Sequence, residues 1–153
     1  MGTKELRTEM VDALSKVSRK LRTLFDGRVR EQGLTLARAR TLLVLSNQEG
    51  LYQKELAEVL EIENATMVRL LDGLERQNFI ERRAVKGDRR AKQIVMTHEG
   101  REQAELVVKL AEEVRQDLLD TVSDEDIAAT VRVLHAMGHS MEKTDRPPLS
   151  QVN

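Results

Sequence analysis

The sequence predicts a mainly α-helical chain carrying one small β-hairpin, and three observations predict it. Apolar residues recur at steps of three and four along most of the 153 residues, the spacing of one buried helix face. Phe25, Tyr52 and Phe79 are the only aromatic residues, so the core is built from Leu, Val, Ile, Ala and Met, which suits packed helices. The period shortens only between Phe79 and Met96, on either side of Lys86-Gly87-Asp88, where glycine tolerates positive φ and aspartate bonds nearby backbone.

Each element has its own warrant. From about Lys4 to Gln32, Leu6, Met10, Leu14, Val17, Leu21, Leu24 and Phe25 mark an amphipathic helix that Gly33 ends. Thr35 is an N-cap for a second helix through Leu45, with Leu36, Ala39, Leu42, Leu43 and Leu45 apolar. Asn47 to Gly50 is a turn. A short helix spans Tyr52 to Leu60, Glu61-Ile62 is a tight connection, and a fourth helix runs from about Asn64 to Arg76 over Met67, Leu70, Leu71 and Leu74. Phe79 to Arg83 and Gln93 to Met96 are the two strands. Thr97 caps a long helix to about Val122, with a stripe through Ala104, Val108, Ala111, Val114, Leu118 and Val122. Ser123-Asp124-Glu125-Asp126 has the form of a capping box with Asp in the third place. It opens a last helix striped by Ile127, Val131, Leu134 and Met141, with Gly138 on that stripe as a point of close approach. Residues 147–153 follow Arg146 without a core pattern and are expected to be a disordered tail.

Composition excludes several classes. There is no cysteine, hence no disulfide scaffold, thiol switch or cysteine-ligated zinc. No apolar run approaches membrane-spanning length and no signal peptide is visible, so the expected compartment is the cytoplasm, with no membrane partner. His135 and His139 stand four apart on the last helix, a spacing that suits a metal, but further ligands are wanting; His98 is the other histidine. The expectation is no metal, no cofactor and no catalytic residues, since no phosphate loop, nucleophile elbow or paired-acid signature occurs. Net charge is −1; its distribution matters more. Between Arg82 and Lys92 stand Arg82, Arg83, Lys86, Arg89, Arg90 and Lys92 against Asp88 alone, while acids gather beyond residue 101.

Residues 53–71 then read as a helix-turn-helix. Ala57 lets two helices approach, Ile62 plugs the turn, and Met67, Leu70 and Leu71 anchor the second helix. Glu63, Asn64, Ala65, Thr66 and Arg69 are left facing outward at its N-terminal end, with Gln53 and Lys54 opening the first helix. Asn suits adenine, Thr a base edge or thymine methyl, and Arg guanine or phosphate. A basic hairpin directly after such a unit makes a winged helix: Lys86, Arg89 and Arg90 would meet the adjacent groove, with Asp88 orienting one arginine. The long helices on either side carry more apolar stripe than one small core covers, which predicts burial against a second copy.

These residues resemble the MarR family of bacterial transcriptional regulators. The resemblance rests on Leu56-Ala57, on Thr66 through Glu75, on Phe79-Ile80-Glu81-Arg82, on Asp88-Arg89-Arg90-Ala91-Lys92 and on Met96 through Gly100, and it is nearest the SlyA-like branch. It covers residues 6 to about 141. It implies a winged helix-turn-helix homodimer on pseudo-palindromic double-stranded DNA, most often as a repressor. Thr66 and Arg69 would read the major groove and the wing arginines the minor groove. In domain terms, residues 1–146 form one unit: 36–96 contact DNA, and 1–35 and 97–146 dimerise. Two departures stand out. Asn78 replaces a common glycine before the wing and would need positive φ. Arg38-Ala39 replaces a His-Trp pair of SlyA-like sequences. The family's small anionic or aromatic effectors would then meet Arg38, with Arg19 and Arg22 nearby. The absence of cysteine separates the chain from organic-peroxide-sensing members. The alternative is a winged-helix protein-interaction module without DNA readout, which would call for an apolar or acidic outward face on the second helix.

Overall fold

The computed structural model describes residues 2–143; the expected tail at 147–153 lies outside them. The elements are α1 (Thr3–Glu31), α2 (Leu36–Asn47), α3 (Gln53–Leu60), α4 (Asn64–Arg76), β1 (Ile80–Val85), β2 (Asp88–Met96), α5 (His98–Leu119) and α6 (Asp124–Glu142). The mainly α class with one hairpin is therefore the observed one. The chain divides into two compact units, Met1–Arg115 and Gln116–Asn153. Among the described residues no helix is long and apolar enough to cross a membrane.

The first unit is built around α2, α3, α4 and the hairpin. Leu42, Leu56, Met67, Leu71, Leu74, Val29 and Val107 are fully buried, joined by Leu45, Ile80 and Ile94. Each such side chain removed from water contributes about 1.5–3 kcal/mol. Thr41 is the buried polar residue, and its hydroxyl donates to the Ala37 carbonyl at 2.8 Å, so its burial leaves no orphaned group. On α5 the buried face runs through Ala104, Val107, Ala111 and Val114. Val108, expected on that stripe, is 40% exposed; the three-and-four alternation from Ala104 lands on Val107, one residue earlier.

Caps account for the helix ends. The Thr35 hydroxyl accepts from the Arg38 N–H at 3.3 Å, Thr97 from Gly100 at 3.0 Å and Ser123 from Asp126 at 3.2 Å. The Ser123 hydroxyl also donates to the Asp126 carboxylate at 2.8 Å, completing the expected serine-to-aspartate signature in a variant form. Asn78 does adopt φ 60°, the left-handed state its place before β1 demands.

β1 and β2 pair antiparallel with Ile80 opposite Met96 and Arg82 opposite Ile94, and the register shifts between Ala84 and Val85. Both strands run further toward the turn than the residue pattern alone indicates, because Ala84 pairs with Lys92 and Val85 with Asp88 without burying a side chain. The segment before α3 adds a third piece: the Ile94 N–H donates to the Leu51 carbonyl at 2.9 Å, and the Gln93 amide to the Gly50 carbonyl at 3.1 Å. That pairing ties the hairpin base to the start of α3.

α1 and α6 are different in kind. α1 has 29 residues and fully buries only Val29. Leu6, Val11, Val17, Leu21 and Leu24 remain between 37% and 55% exposed. In the second unit, α6 buries no residue, and Val131, Val133, Leu134 and Met141 are exposed. Among the described residues no heavy atom stands within 4 Å of where a Cβ on Gly138 would sit.

Candidate nucleic-acid interface

The turn between α3 and α4 is tight because Glu61 takes φ 53°, ψ 45°, a left-handed conformation that terminates α3 at once. The Ile62 N–H then donates to the Ala57 carbonyl at 3.0 Å. Ala57 is buried, as close helix approach requires, and Ile62 packs against the core. On α4, Met67, Leu71 and Leu74 face inward and are fully buried, whereas Glu63, Asn64, Ala65, Thr66 and Arg69 are all exposed. The outward set read from the sequence is thus assembled on one end of one helix. Glu63, the N-cap residue, makes no side-chain cap bond. The first amides of α4 therefore keep their hydrogen-bonding capacity and the positive end of the helix dipole. Lys54 is exposed and Gln53 half-buried at the start of α3.

The hairpin supplies the second part. Gly87 has φ 90° at the tip, and Lys86, Asp88, Arg89 and Arg90 are all exposed there. The Asp88 carboxylate accepts the backbone N–H of Arg90 at 2.9 Å. It orients the turn rather than a guanidinium, which is what a short side chain two residues away can reach.

The base of the hairpin is anchored differently, by an arginine the residue pattern groups with the basic wing and two acids of α4. Arg82 Nη2 donates to Asp72 Oδ1 at 2.6 Å, Arg82 Nε donates to Glu75 Oε2 at 3.0 Å, and the Arg82 backbone N–H donates to that same Glu75 oxygen at 3.2 Å. The Arg82 hydrogen bond holds the Glu75 carboxyl below its ordinary range, against a smaller opposing effect of burial. It likewise raises Arg82, again against burial. The available signal was the i, i+3 spacing of Asp72 and Glu75 on one face of α4, just before a basic strand.

Arg19, Arg22 and Arg38 separate. A cleft of about 460 Å³ is lined by Leu21, Arg22, Phe25, Leu36, Arg40, Leu43, Val114 and Arg115, with Ser18 and Ala111. Arg22 lines it; Arg19 and Arg38 do not. Arg38 turns toward α4, where its Nη1 donates to Gln77 Oε1 at 2.9 Å and its guanidinium lies where a Cβ on Gly73 would stand. Arg40 and Arg115 take the places expected of Arg19 and Arg38, because Arg40 shares a helix face with Leu36 and Leu43. Among the described residues no cluster of three metal-ligating side chains occurs; His139 Nδ1 lies 3.7 Å from Glu142.

Comparison with known proteins fits this geometry. The MarR family model matches residues 34–92, from the approach to α2 through the wing. The crystal structure of the transcriptional regulator PA3341 is 35% identical, covering 88% of this chain and 98% of that one, with a TM-score of 0.79. A Staphylococcus aureus MepR–DNA complex is 26% identical over 85% of this chain and 96% of that one, TM-score 0.78. The regulator SlyA, at 21% identity over 88% and 95% and TM-score 0.78, shares the fold. With a winged helix-turn-helix in place and more than a third of the residues shared with a regulator along nearly its whole length, the chain belongs to the MarR family of transcriptional regulators.

Proposed function

We propose that this chain acts as a homodimer that binds a pseudo-palindromic operator in double-stranded DNA and represses transcription. The observation that carries the reading is the exposed, side-chain-uncapped first turn of α4, with Asn64, Thr66 and Arg69 outward over a fully buried Met67, Leu71 and Leu74. Donors and acceptors suited to base edges stand on a rigid helix end, beside a hairpin whose tip is basic. The MepR relative being solved with DNA supports the same use here. Dimerisation is supported by α6, which buries no residue, and by the exposed apolar residues of α1; lone apolar faces of that extent mark interfaces. In this reading residues 1–146 are one functional domain, with 36–96 on the DNA and the flanking helices in the dimer. The two α4 helices would lie about one DNA turn apart, ~34 Å.

The cleft walled by Leu21, Phe25, Leu36 and Leu43, with Arg22, Arg40 and Arg115 at hand, suits a small apolar anion. Such an effector would release DNA by favouring a spacing of the α4 helices that no longer matches the operator.

Selection of binding sites from random duplexes tests the proposal. A two-fold symmetric consensus is expected, with affinity falling by orders of magnitude between low and moderate salt. Recovery of no duplex, or of an unsymmetrical site by a monomer, would overturn it. Capture of a protein partner by α4 with no duplex bound would favour the interaction-module alternative.

A further inference from the structure

We propose that Arg82 is a positioning residue of the DNA-reading surface, bolting the wing to the recognition helix so that the two prongs keep a fixed angle; this rests on the DNA-binding reading above. Arg82 sits two residues into β1 and its side chain is 23% exposed. It donates through Nη2 to Asp72, through Nε to Glu75 and through its backbone N–H to Glu75. Asp72 and Glu75 lie one turn apart on α4, the helix whose other end carries Asn64, Thr66 and Arg69. Arg83, the next residue, behaves differently: 60% exposed, it pairs with Glu81 on its own strand.

Two consequences follow from that geometry. First, the basic run of the wing is not uniform. Two carboxylates engage Nε and Nη2 of one guanidinium, so the charge of Arg82 is already balanced within the protein and adds less to phosphate binding than the exposed arginines of the tip. Second, leverage makes its bonds count at the tip. Gly87 lies five positions beyond Arg82, across the rest of β1 and the turn, at most about 17 Å at ~3.3 Å per residue. A 10° swing at the base would carry the tip about 3 Å, roughly the length of a hydrogen bond. The covalent link from α4 to β1 is Gln77, Asn78 and Phe79; the Asn78 and Phe79 N–H groups donate back to the Glu75 and Leu74 carbonyls at 2.9 Å, and Thr97 ties the same corner to α5, but these bonds stop at Phe79, before the strand begins. The bonds of Arg82 run directly from the strand to the reading helix.

The experiment has a DNA-free arm and a DNA arm. Because the protein has no cysteine, spin labels can be attached through Val68→Cys and Lys86→Cys, in labelled chains diluted with unlabelled protein. Arg82→Gln is expected to broaden the distance distribution between α4 and the tip, with Arg82→Lys in between and Arg83→Gln like the parent; an unbroadened Arg82→Gln distribution overturns the inference. On a selected operator, Arg82→Gln should weaken binding on the order of tenfold, the scale of one lost groove contact. Combining it with Arg90→Ala should cost little beyond either alone, because both act through the tip. Glu75→Gln should also weaken binding, although it removes a negative charge. If Arg82 instead held a phosphate, the losses would add and Glu75→Gln would tighten binding, and either result sinks the proposal. A parent protein that binds no duplex overturns the proposed function and the DNA half of this inference together, while the label distances still decide whether Arg82 fixes the wing.

Discussion

The base and the tip of the hairpin carry the same residue type and do opposite things with it. At the base, Arg82 is enclosed by Asp72 and Glu75, Thr97 Oγ1 donates to the Asn78 carbonyl at 2.6 Å, and Ile80 and Ile94 are buried. At the tip, Arg89 and Arg90 are exposed, and among the described residues neither guanidinium is in an ion pair. The contrast teaches that a run of basic residues divides its labour by what lies within reach of each guanidinium. Where two carboxylates are fixed on a neighbouring helix, the arginine becomes structure; where none is, it remains available to an anionic partner. Substitutions at the base should therefore change stability, and those at the tip should change DNA binding alone.

The largest effect is expected at Gly100. A Cβ there would collide with the Phe79 carbonyl, carbon and Cα, all backbone with no flexible end to yield. Gly100→Ala should destabilise by about 3 kcal/mol or more, or prevent folding. Urea unfolding measures it, and a parent-like midpoint would show that the corner between α4, β1 and α5 is not the rigid base described. Next come Arg90→Ala and Arg69→Ala, each expected to cost about 1–3 kcal/mol of operator affinity with no change in the urea midpoint. They should differ in character. Arg69→Ala should relax base preference at one position per half-site, whereas Arg90→Ala should weaken binding to most sequences. If Arg90→Ala moved the unfolding midpoint as much as the affinity, tip and base would not be separable.

Thr97→Ala should be smaller, about 1 kcal/mol of stability. It removes an oxygen that accepts from the Gly100 N–H and donates to the Asn78 carbonyl. Thr97→Ser keeps both bonds and should recover most of the loss in a thermal melt. A Ser variant no better than Ala would mean that the methyl group, not the hydroxyl, matters.

The same division explains what could be read from the residues alone. Helices announced themselves through period and caps: Thr35, Thr97 and Ser123 all cap as their position implied, since capping is local chemistry between residues three apart. The outward set on α4 was legible for the same reason, being the complement of a short apolar stripe. What escaped is set by distance in sequence. Arg82 was counted with the basic wing because its partners, ten and seven positions earlier, belong to another element. Arg38 was assigned to a ligand cleft, yet it reaches Gln77 thirty-nine residues away, over a Gly73 that costs a mid-helix position about 1 kcal/mol relative to Ala and leaves room for the guanidinium. Arg40, two residues along the same turn of α2, faces the cleft instead. Two steps on a helix rotate a side chain by about 200°, so the resemblance placed an arginine of α2 at the cleft but named the one on the opposite side of the helix.

The smallest effect concerns pH, and it bears on the base alone. The Glu75 carboxyl is held below its ordinary value chiefly by the hydrogen bond from Arg82. Its folded-state pKa therefore lies below the unfolded one, and the stability it contributes is fully present above the ordinary glutamate range and is lost as pH falls through the folded value. The carboxylate is 42% exposed, so solvent screens the pair and the contribution stays below that of the Thr97 cap. Comparing unfolding midpoints of the parent and Glu75→Gln should show a constant gap from pH 8 to about 5 that closes under stronger acid. Arg90→Ala, which touches no carboxylate side chain at the base, should track the parent across the whole range. A gap that persisted in strong acid would mean that Glu75 supports the hairpin through packing rather than charge, and the electrostatic half of the contrast between base and tip would fall.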